Sequence, residues 1–389
     1  MNVEKEQLLI ELLRCEITQT PPQQEFYKEL DDKMLEGIFN LAASHAVIPL
    51  VSDVLFKSKM LEGKTCESFY RQGLWMAVLQ YQQQAAELNK ICKIFEENKI
   101  YHIPLKGSFL RNYYPEPWLR TCCDIDILVK TEELDRAVDV LKKGGYSYQG
   151  KGSHDVSFFS ENNVHIELHF NIIEEEYKMS KTNDLVSDVW NNSEPKDGHK
   201  YEYTMTNEMF YFYHIAHMTK HFLNGGCGLR PFVDIYILIH SVVLDRKKLN
   251  YLLKKGRILT FANMAEELSD VWFSKSSPTQ LTDDMQNYIF RGGVYGNLEN
   301  RIAMKQARTG GKLKEALSKI FLEYDIIKYH YPVLQKYKFL LPFFEIRRWC
   351  KLIFLKEHRK RSINHLSVNQ TLSDELKKST EKLLQKLEL

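Results

Sequence analysis

Asp124 and Asp126 stand one residue apart in the run Thr121-Cys122-Cys123-Asp124-Ile125-Asp126-Ile127-Leu128-Val129. In a β-strand alternate side chains share a face, so both carboxylates point one way while Ile125 and Ile127 point the other. Carboxylates aimed at one point repel each other unless a cation lies between them. Hard divalent ions, Mg²⁺ above all, take oxygen ligands of this kind together with substrate phosphates. A third carboxylate, Glu167, lies at the centre of the alternating run Val164-His165-Ile166-Glu167-Leu168-His169-Phe170, with His169 on its face. Three convergent acids suit a two-ion site, which stabilises both the attacking and the leaving oxygen of an in-line displacement at phosphorus.

An acid pair with this spacing also occurs in phosphatases and in sugar-nucleotide glycosyltransferases. In those classes the apolar strand precedes the acids. Here Ile127-Leu128-Val129 follows them, which disfavours a phospho-aspartyl enzyme built on Asp124. About twenty residues upstream, Ile103-Pro104-Leu105-Lys106-Gly107-Ser108-Phe109-Leu110 reads as a short strand, a Gly-Ser turn and a helix start. Free N–H groups at a helix N-terminus, beside a glycine that permits close approach, make a phosphate site.

Gly-Ser at a helix start followed by an acid pair on the next strand resembles the nucleotidyltransferase superfamily that includes DNA polymerase β. Leu105-Lys106-Gly107, Tyr113-Tyr114-Pro115, Arg120 just before Asp124-Ile125-Asp126-Ile127-Leu128-Val129, and a helix ending in Gly145-Tyr146 are similar to the bacterial uncharacterised nucleotidyltransferase family. The similarity runs from Leu105 to Phe170, with weaker echoes to Asp234. It implies transfer of NMP from an NTP, ATP first among them, to a hydroxyl of a small molecule, protein or RNA, with release of pyrophosphate. Asp124 and Asp126 would bind two Mg²⁺ ions, with Glu167 helping to hold the one near the acceptor. Gly107 and Ser108 would hold the β- and γ-phosphates. Lys106 and Arg120 would pair phosphate oxygens, with Arg111 a further candidate. The helix–glycine–helix unit around Gly225-Gly226-Cys227-Gly228 would set Lys220 or His221 near the triphosphate or acceptor. Two other functions stay open: a toxin- or defence-type enzyme acting on tRNA, suggested by the basic stretch Arg347 to Arg361, and a catalytically silent nucleotide-binding protein.

The expected fold is α+β: a small mixed sheet of the polymerase β type, flanked by N-terminal and C-terminal helical regions. The boundaries fall at 1–100, 101–203 for the catalytic domain, and 204–389. Strands are expected over Tyr101–Leu105, Asp124–Val129, Tyr146–Tyr148, His154–Phe159 and Val164–Phe170. Helices are expected over Phe69–Phe95, Gly107–Tyr114 and from a Thr131 cap to Lys143, with an irregular connector over 174–203 that has weak helical character around Asp184 to Trp190. The 389 residues suffice for two or three domains, and a formal charge of +2 argues against wholesale coating of nucleic acid. Seven cysteines include no C-x-x-C pair, so spacing implies neither a zinc site nor a disulfide framework. His217 and His221, four apart on one helix face, have a zinc-ligand spacing without an evident third ligand. No signal peptide or transmembrane run is visible, and a cytoplasmic location is the expectation.

Overall fold

The computed structural model describes residues 4–23, 30–172, 180–294, 296–322, 324, 327–328, 331, 333–354 and 356–389. Its one large sheet has the order β1-β2-β5-β4-β3, built from β1 His102–Pro104, β2 Ile125–Val129, β3 Ser147–Lys151, β4 Asp155–Phe159 and β5 His165–His169. Only β2 and β5 run parallel; the other neighbours are antiparallel. This is the small mixed sheet of the expected α+β fold.

Side-chain alternation decides what each face of the sheet does. Ile125, Ile127 and Val129 of β2, Val156 and Phe158 of β4, and Ile166 and Leu168 of β5 are all buried in one core. Two helices complete that core: α4 (Glu67–Glu97) through Ile91 and Phe95, and α6 (Leu134–Lys143) through Leu134, Ala137 and Leu141. The intervening residues, Asp126 on β2 and His165, Glu167 and His169 on β5, therefore face the other way.

The expected long helix over Phe69–Phe95 is α4, 31 residues with no proline. Its one glycine, Gly73, has a packing reason: a Cβ there would come within 2.5 Å of the Ile48 side chain. Ahead of it lie α1 (Lys5–Thr18), α2 (Asp32–Ser44) and α3 (Ile48–Lys57). These share a second core with the other sheet face and the later helices. It joins Leu9 and Leu13 of α1, Leu55 of α3, Ile103 of β1 and Leu128 of β2. It also takes in Phe212 and Phe222 of α8 (Asn207–Leu223), Phe232 of α9 (Arg230–Ser241) and Leu384 near the C-terminus.

Three local differences from the sequence reading have simple causes. The expected helix over Gly107–Tyr114 is a five-residue α5 (Lys106–Leu110) followed by a 3₁₀ turn at Arg111–Tyr113, since Pro115 and Pro117 leave no room to continue. Thr131 does not cap α6. A 3₁₀ turn at Thr131–Glu133 intervenes, and the Thr131 hydroxyl donates to the Phe170 carbonyl at 3.0 Å. The connector's helix, α7 (Ser180–Ser187), begins earlier than expected, and a small hairpin follows it, β6 Ser193–Pro195 with β7 Tyr203–Met205, whose three-residue strands are too short to show a period.

Between α8 and α9 the glycine loop packs backbone to backbone. A Cβ on Gly226 would lie 2.6 Å from the Gly293 carbonyl oxygen and 2.9 Å from Gly296 Cα. That contact fixes where α9 begins, and so where Arg230 and Asp234 point. Further on, the basic stretch Arg347 to Arg361 falls on the helices Leu341–Phe354 and Lys356–Thr371. Arg348 there donates twice to Glu345, at 2.9 and 2.7 Å. The side chains of Lys356, Arg359 and Arg361 lie outside the described residues. No helix among the described residues is long and apolar enough to cross a membrane.

Candidate active site

The parallel pairing of β2 with β5 sets Asp126 directly opposite Glu167. Asp124 lies one residue before β2, in a bend rather than in the strand where it was expected. Ligand atoms of Asp126, Glu167 and His169 lie within 4.8 Å of one another, and so do those of Asp124, His165 and Glu167. Glu167 belongs to both sets. The three acids named from the sequence are thus brought together, with two imidazoles that alternation along β5 adds to the same face.

The acids divide in their proton affinity. Burial, then the nearby charges of Asp126 and Glu167, push the Asp124 carboxyl up to about 7. Burial alone would also raise Asp126. The hydrogen bond from His169 Nε2, at 3.0 Å, and the charge of that ring outweigh it and hold Asp126 below the ordinary carboxylate range. His169 is correspondingly pushed up to about 10, against its own burial, by Asp126 and by Glu167 at 3.5 Å. A proton on Asp124 and the charge on His169 relieve the repulsion among the acids.

A second wall faces the acids. The Leu105 N–H donates to the Asp126 carbonyl at 2.9 Å, which sets Lys106 and Gly107 beside β2. Burial lowers the Lys106 ammonium well below its ordinary range, Asp126 opposes this, and Lys220 and Arg120 add to it. The ammonium lies 4.7 Å from the centre of the Tyr213 ring. Lys220, His221, His217, Arg230 and Asp234 of the α8–α9 unit line the same cleft, whose volume is about 310 Å³. That is at the small end of the range for small-molecule sites. His217 and His221 pair with each other, Nε2 to Nε2 at 3.2 Å, and belong to no three-ligand group among the described residues.

Arg120 lines this cleft but its fork is turned into the protein. Nε and one terminal nitrogen donate to the two oxygens of Asp234 at 2.8 and 3.0 Å, and the other contacts Cys122 Sγ at 3.1 Å. Tyr114 donates its hydroxyl to the same Asp234 at 2.6 Å. A Cβ on Gly107 would run into Cys122 Sγ, so the glycine is needed for this close approach. Ser108 lies elsewhere: its N–H donates to the Leu105 carbonyl at 3.0 Å, and it lines a separate pocket with Tyr81, Pro104 and Arg111. Arg111 is buried too, donating to the Arg120 carbonyl at 3.1 Å and to Gln84. Sequence reasoning missed the partnership of Arg120 with Asp234, which are 114 residues apart.

With the Arg120–Asp234 pair neutralising itself, Asp124, Asp126 and Glu167 face Lys106, Lys220 and Arg230 across the cleft. A metal-bridged polyphosphate is the kind of ligand that joins an acidic wall to a basic one.

The proton on Asp124 predicts a pH dependence. Unfolded carboxyls titrate near about 3.9, so between about pH 4 and the folded value of about 7 the folded chain holds a proton the unfolded chain has lost. Stability from this source falls as pH rises through that window. His169 has the same sign: its contribution is full below about 6.5 and is lost as pH rises through about 10. Buried His45 and His214, pushed down to about 4 by burial, have the opposite sign between there and about 6.5, so the effect is read against a variant. With chelator present, going from pH 5 to pH 8 should lower, relative to Asp124→Asn, the wild-type unfolding temperature. Added Mg²⁺ should raise it more at pH 8 than at pH 5. An equal Mg²⁺ effect at both pH values would count against a shared acid–cation site.

Comparison with curated proteins and with solved structures gives no match. A family described as uncharacterised nucleotidyltransferases matches residues 32–274, a span that includes the whole sheet, the acid cluster and the α8–α9 unit. The chain belongs to that family, and it is a nucleotidyltransferase.

Proposed function

We propose that the protein transfers the NMP group of a nucleoside triphosphate, ATP first among them, to a hydroxyl on an acceptor and releases pyrophosphate. One observation carries the reading: Asp126 and Glu167 lie opposite each other on neighbouring parallel strands, with Asp124 within ligand distance of Glu167. Burial, with the repulsion of Asp126 and Glu167 added to it, raises Asp124, which makes an uncompensated charge there costly, so the residues fit divalent ions. Asp124, Asp126 and Glu167 would hold Mg²⁺, two ions in all, with His165 and His169 at the edge of the set. Bound there, the ions would polarise the α-phosphate and stabilise the attacking and leaving oxygens.

The remaining steps belong to the chain. Lys106 is close enough to the acids to meet the phosphate nearest the metal-binding wall, with Gly107 giving the backbone room to approach. Lys220, His221 and Arg230 would take the outer phosphates as point charges and donors. The acceptor oxygen forms a bond to the α-phosphorus as the bond from that phosphorus to the pyrophosphate oxygen breaks. The hydroxyl proton passes to a cleft carboxylate. Arg120 is reassigned from phosphate contact to positioning, because its donors are committed to Asp234 and Cys122. Ser108 is withdrawn from the phosphate site, since it opens on another pocket. The domain span proposed for this activity is 101–203, served by Lys220, His221 and Arg230 from the region after 204.

The test uses purified protein with each NTP labelled at the α-phosphate, Mg²⁺, and fractions of small molecules, protein and RNA as acceptors. Label should pass to one fraction with release of pyrophosphate, and Asp124→Asn/Asp126→Asn should abolish transfer. Transfer of a γ-phosphate label instead would overturn the reading. Mg²⁺-dependent binding of an NTP without turnover in any fraction would favour the catalytically silent alternative. Transfer confined to the RNA fraction would favour the tRNA-modifying one.

A further inference from the structure

Outside the cleft, Cys92, His102 and Glu202 bring one sulfur, one ring nitrogen and one carboxylate oxygen within 4.8 Å of each other. They come from three separate segments: Cys92 from α4, His102 from β1, and Glu202 from the residue before β7. We propose that these three side chains form a zinc site, separate from the acid cleft and independent of the function proposed above.

His102 is the central observation. It is fully buried, and its Nδ1 lies 2.9 Å from the Ile100 carbonyl oxygen. A carbonyl only accepts, so Nδ1 carries the proton and Nε2 presents its lone pair. That Nε2 is buried with no hydrogen-bond partner. A buried acceptor left without a donor is uncommon and marks a missing water or ion. A histidine whose Nδ1–H is held by a backbone carbonyl while Nε2 is left unpartnered, in a ring beside a thiol and a carboxylate, has the arrangement of a zinc-ligating histidine. The ring is further fixed edge-on against Phe95, with centroids 5.4 Å apart.

The site is also built to hold its shape. The His102 N–H donates to the Tyr201 carbonyl at 2.9 Å, and β1 makes a bridge to Glu202. The Glu96 carboxylate, one helical turn after Cys92, accepts from the N–H groups of Lys200, Tyr201 and Glu202 at 2.7, 3.0 and 3.2 Å. Glu202 offers one oxygen to Lys196 at 2.6 Å, and its other oxygen lies 3.5 Å from His199 Nδ1. Glu202 can therefore bridge Lys196 and a cation through different oxygens. Sulfur and imidazole beside a single carboxylate suit Zn²⁺ and not Mg²⁺, which keeps to oxygen. Cys92 and Glu202 also line the roughly 310 Å³ pocket that holds Ser108, which leaves the fourth position to a water from that pocket. Zinc there would pin β1, and Lys106 and Gly107 follow β1 directly.

The test is elemental analysis of the full-length protein, purified without chelator and dialysed against Mg²⁺ buffer. Stoichiometric zinc is expected. It should be lost, by about tenfold or more, in Cys92→Ala and in Glu202→Gln, and retained in Asp124→Asn/Asp126→Asn. Cobalt-substituted protein should show a sulfur-to-metal charge-transfer band that Cys92→Ala removes. Cys92→Ser, a near-isosteric change at a part-exposed position, carries the test if Cys92→Ala does not fold. Three outcomes would overturn the proposal: no zinc in the wild type together with no change in unfolding temperature on adding Zn²⁺; zinc that survives both Cys92→Ala and Glu202→Gln; or zinc lost from the Asp124→Asn/Asp126→Asn variant instead.

Discussion

Asp126→Asn should reduce nucleotidyl transfer by about 10³-fold or more, equivalent to roughly 4 kcal/mol of barrier, which is the scale of removing a metal's charge stabilisation from such a transition state. Asp126 is the acid opposite Glu167 on the neighbouring strand and the partner of His169 at 3.0 Å. Asparagine keeps its shape and its place on β2, so the strand and its apolar face should be undisturbed. His169 loses the charge that holds it protonated and can fall back to neutral imidazole, so no buried charge is stranded. The far-ultraviolet circular dichroism should match wild type while kcat collapses under saturating Mg²⁺ and NTP. A kcat within about tenfold of wild type would remove Asp126 from the metal-binding set.

Asp234→Ala should be the most damaging single change to stability, costing about 3–5 kcal/mol, because it leaves a buried guanidinium without its counter-charge. Arg120 is 4 % exposed and Asp234 1 %. Against a typical total of about 5–15 kcal/mol, such a loss brings the chain close to unfolding. The ion pair should be replaceable even though it cannot be halved. A triple variant, Tyr114→Phe/Arg120→Met/Asp234→Leu, removes both charges and the hydroxyl that depends on Asp234. Its midpoint in urea should lie close to wild type and well above that of Asp234→Ala. The same triple variant separates two roles for Arg120. If the arginine positions the wall of the cleft, the affinity for NTP changes little. A weakening of about tenfold or more would return Arg120 to the phosphates.

How much of this was legible in the sequence follows from the range of each interaction. The acid strand and the Glu167 strand were readable because alternation is local: Ile125-Asp126-Ile127 and Ile166-Glu167-Leu168 state their faces within three residues. The long helix α4 was readable for the same reason. Thr131 misled because its hydroxyl finds a carbonyl 39 residues away instead of its own helix. Arg120 misled because only the folded chain reveals Asp234 beside it. Ser108 follows Gly107 in sequence, yet in the helix that begins there the two line different pockets. Cys92, His102 and Glu202 show no ligand spacing, being brought together by a helix, an edge strand and a hairpin that meet only in three dimensions. The hairpin β6–β7 was missed because strands of three residues leave no pattern to count.

The face of β2 and β5 that holds the acids and the face that packs on α4 and α6 are carved from the same ten residues. A neutral drift at Ile125, Ile127, Ile166 or Leu168, all buried in the core behind the acids, therefore tilts the backbone from which Asp126 and Glu167 hang. Inheritance acts on the two faces together: the lineage can exchange its oily residues only as far as the spacing of its carboxylates allows. An insertion of one residue in the turn between β4 and β5 that slipped the register would turn Glu167 into the oil and an isoleucine toward the face that holds the acids.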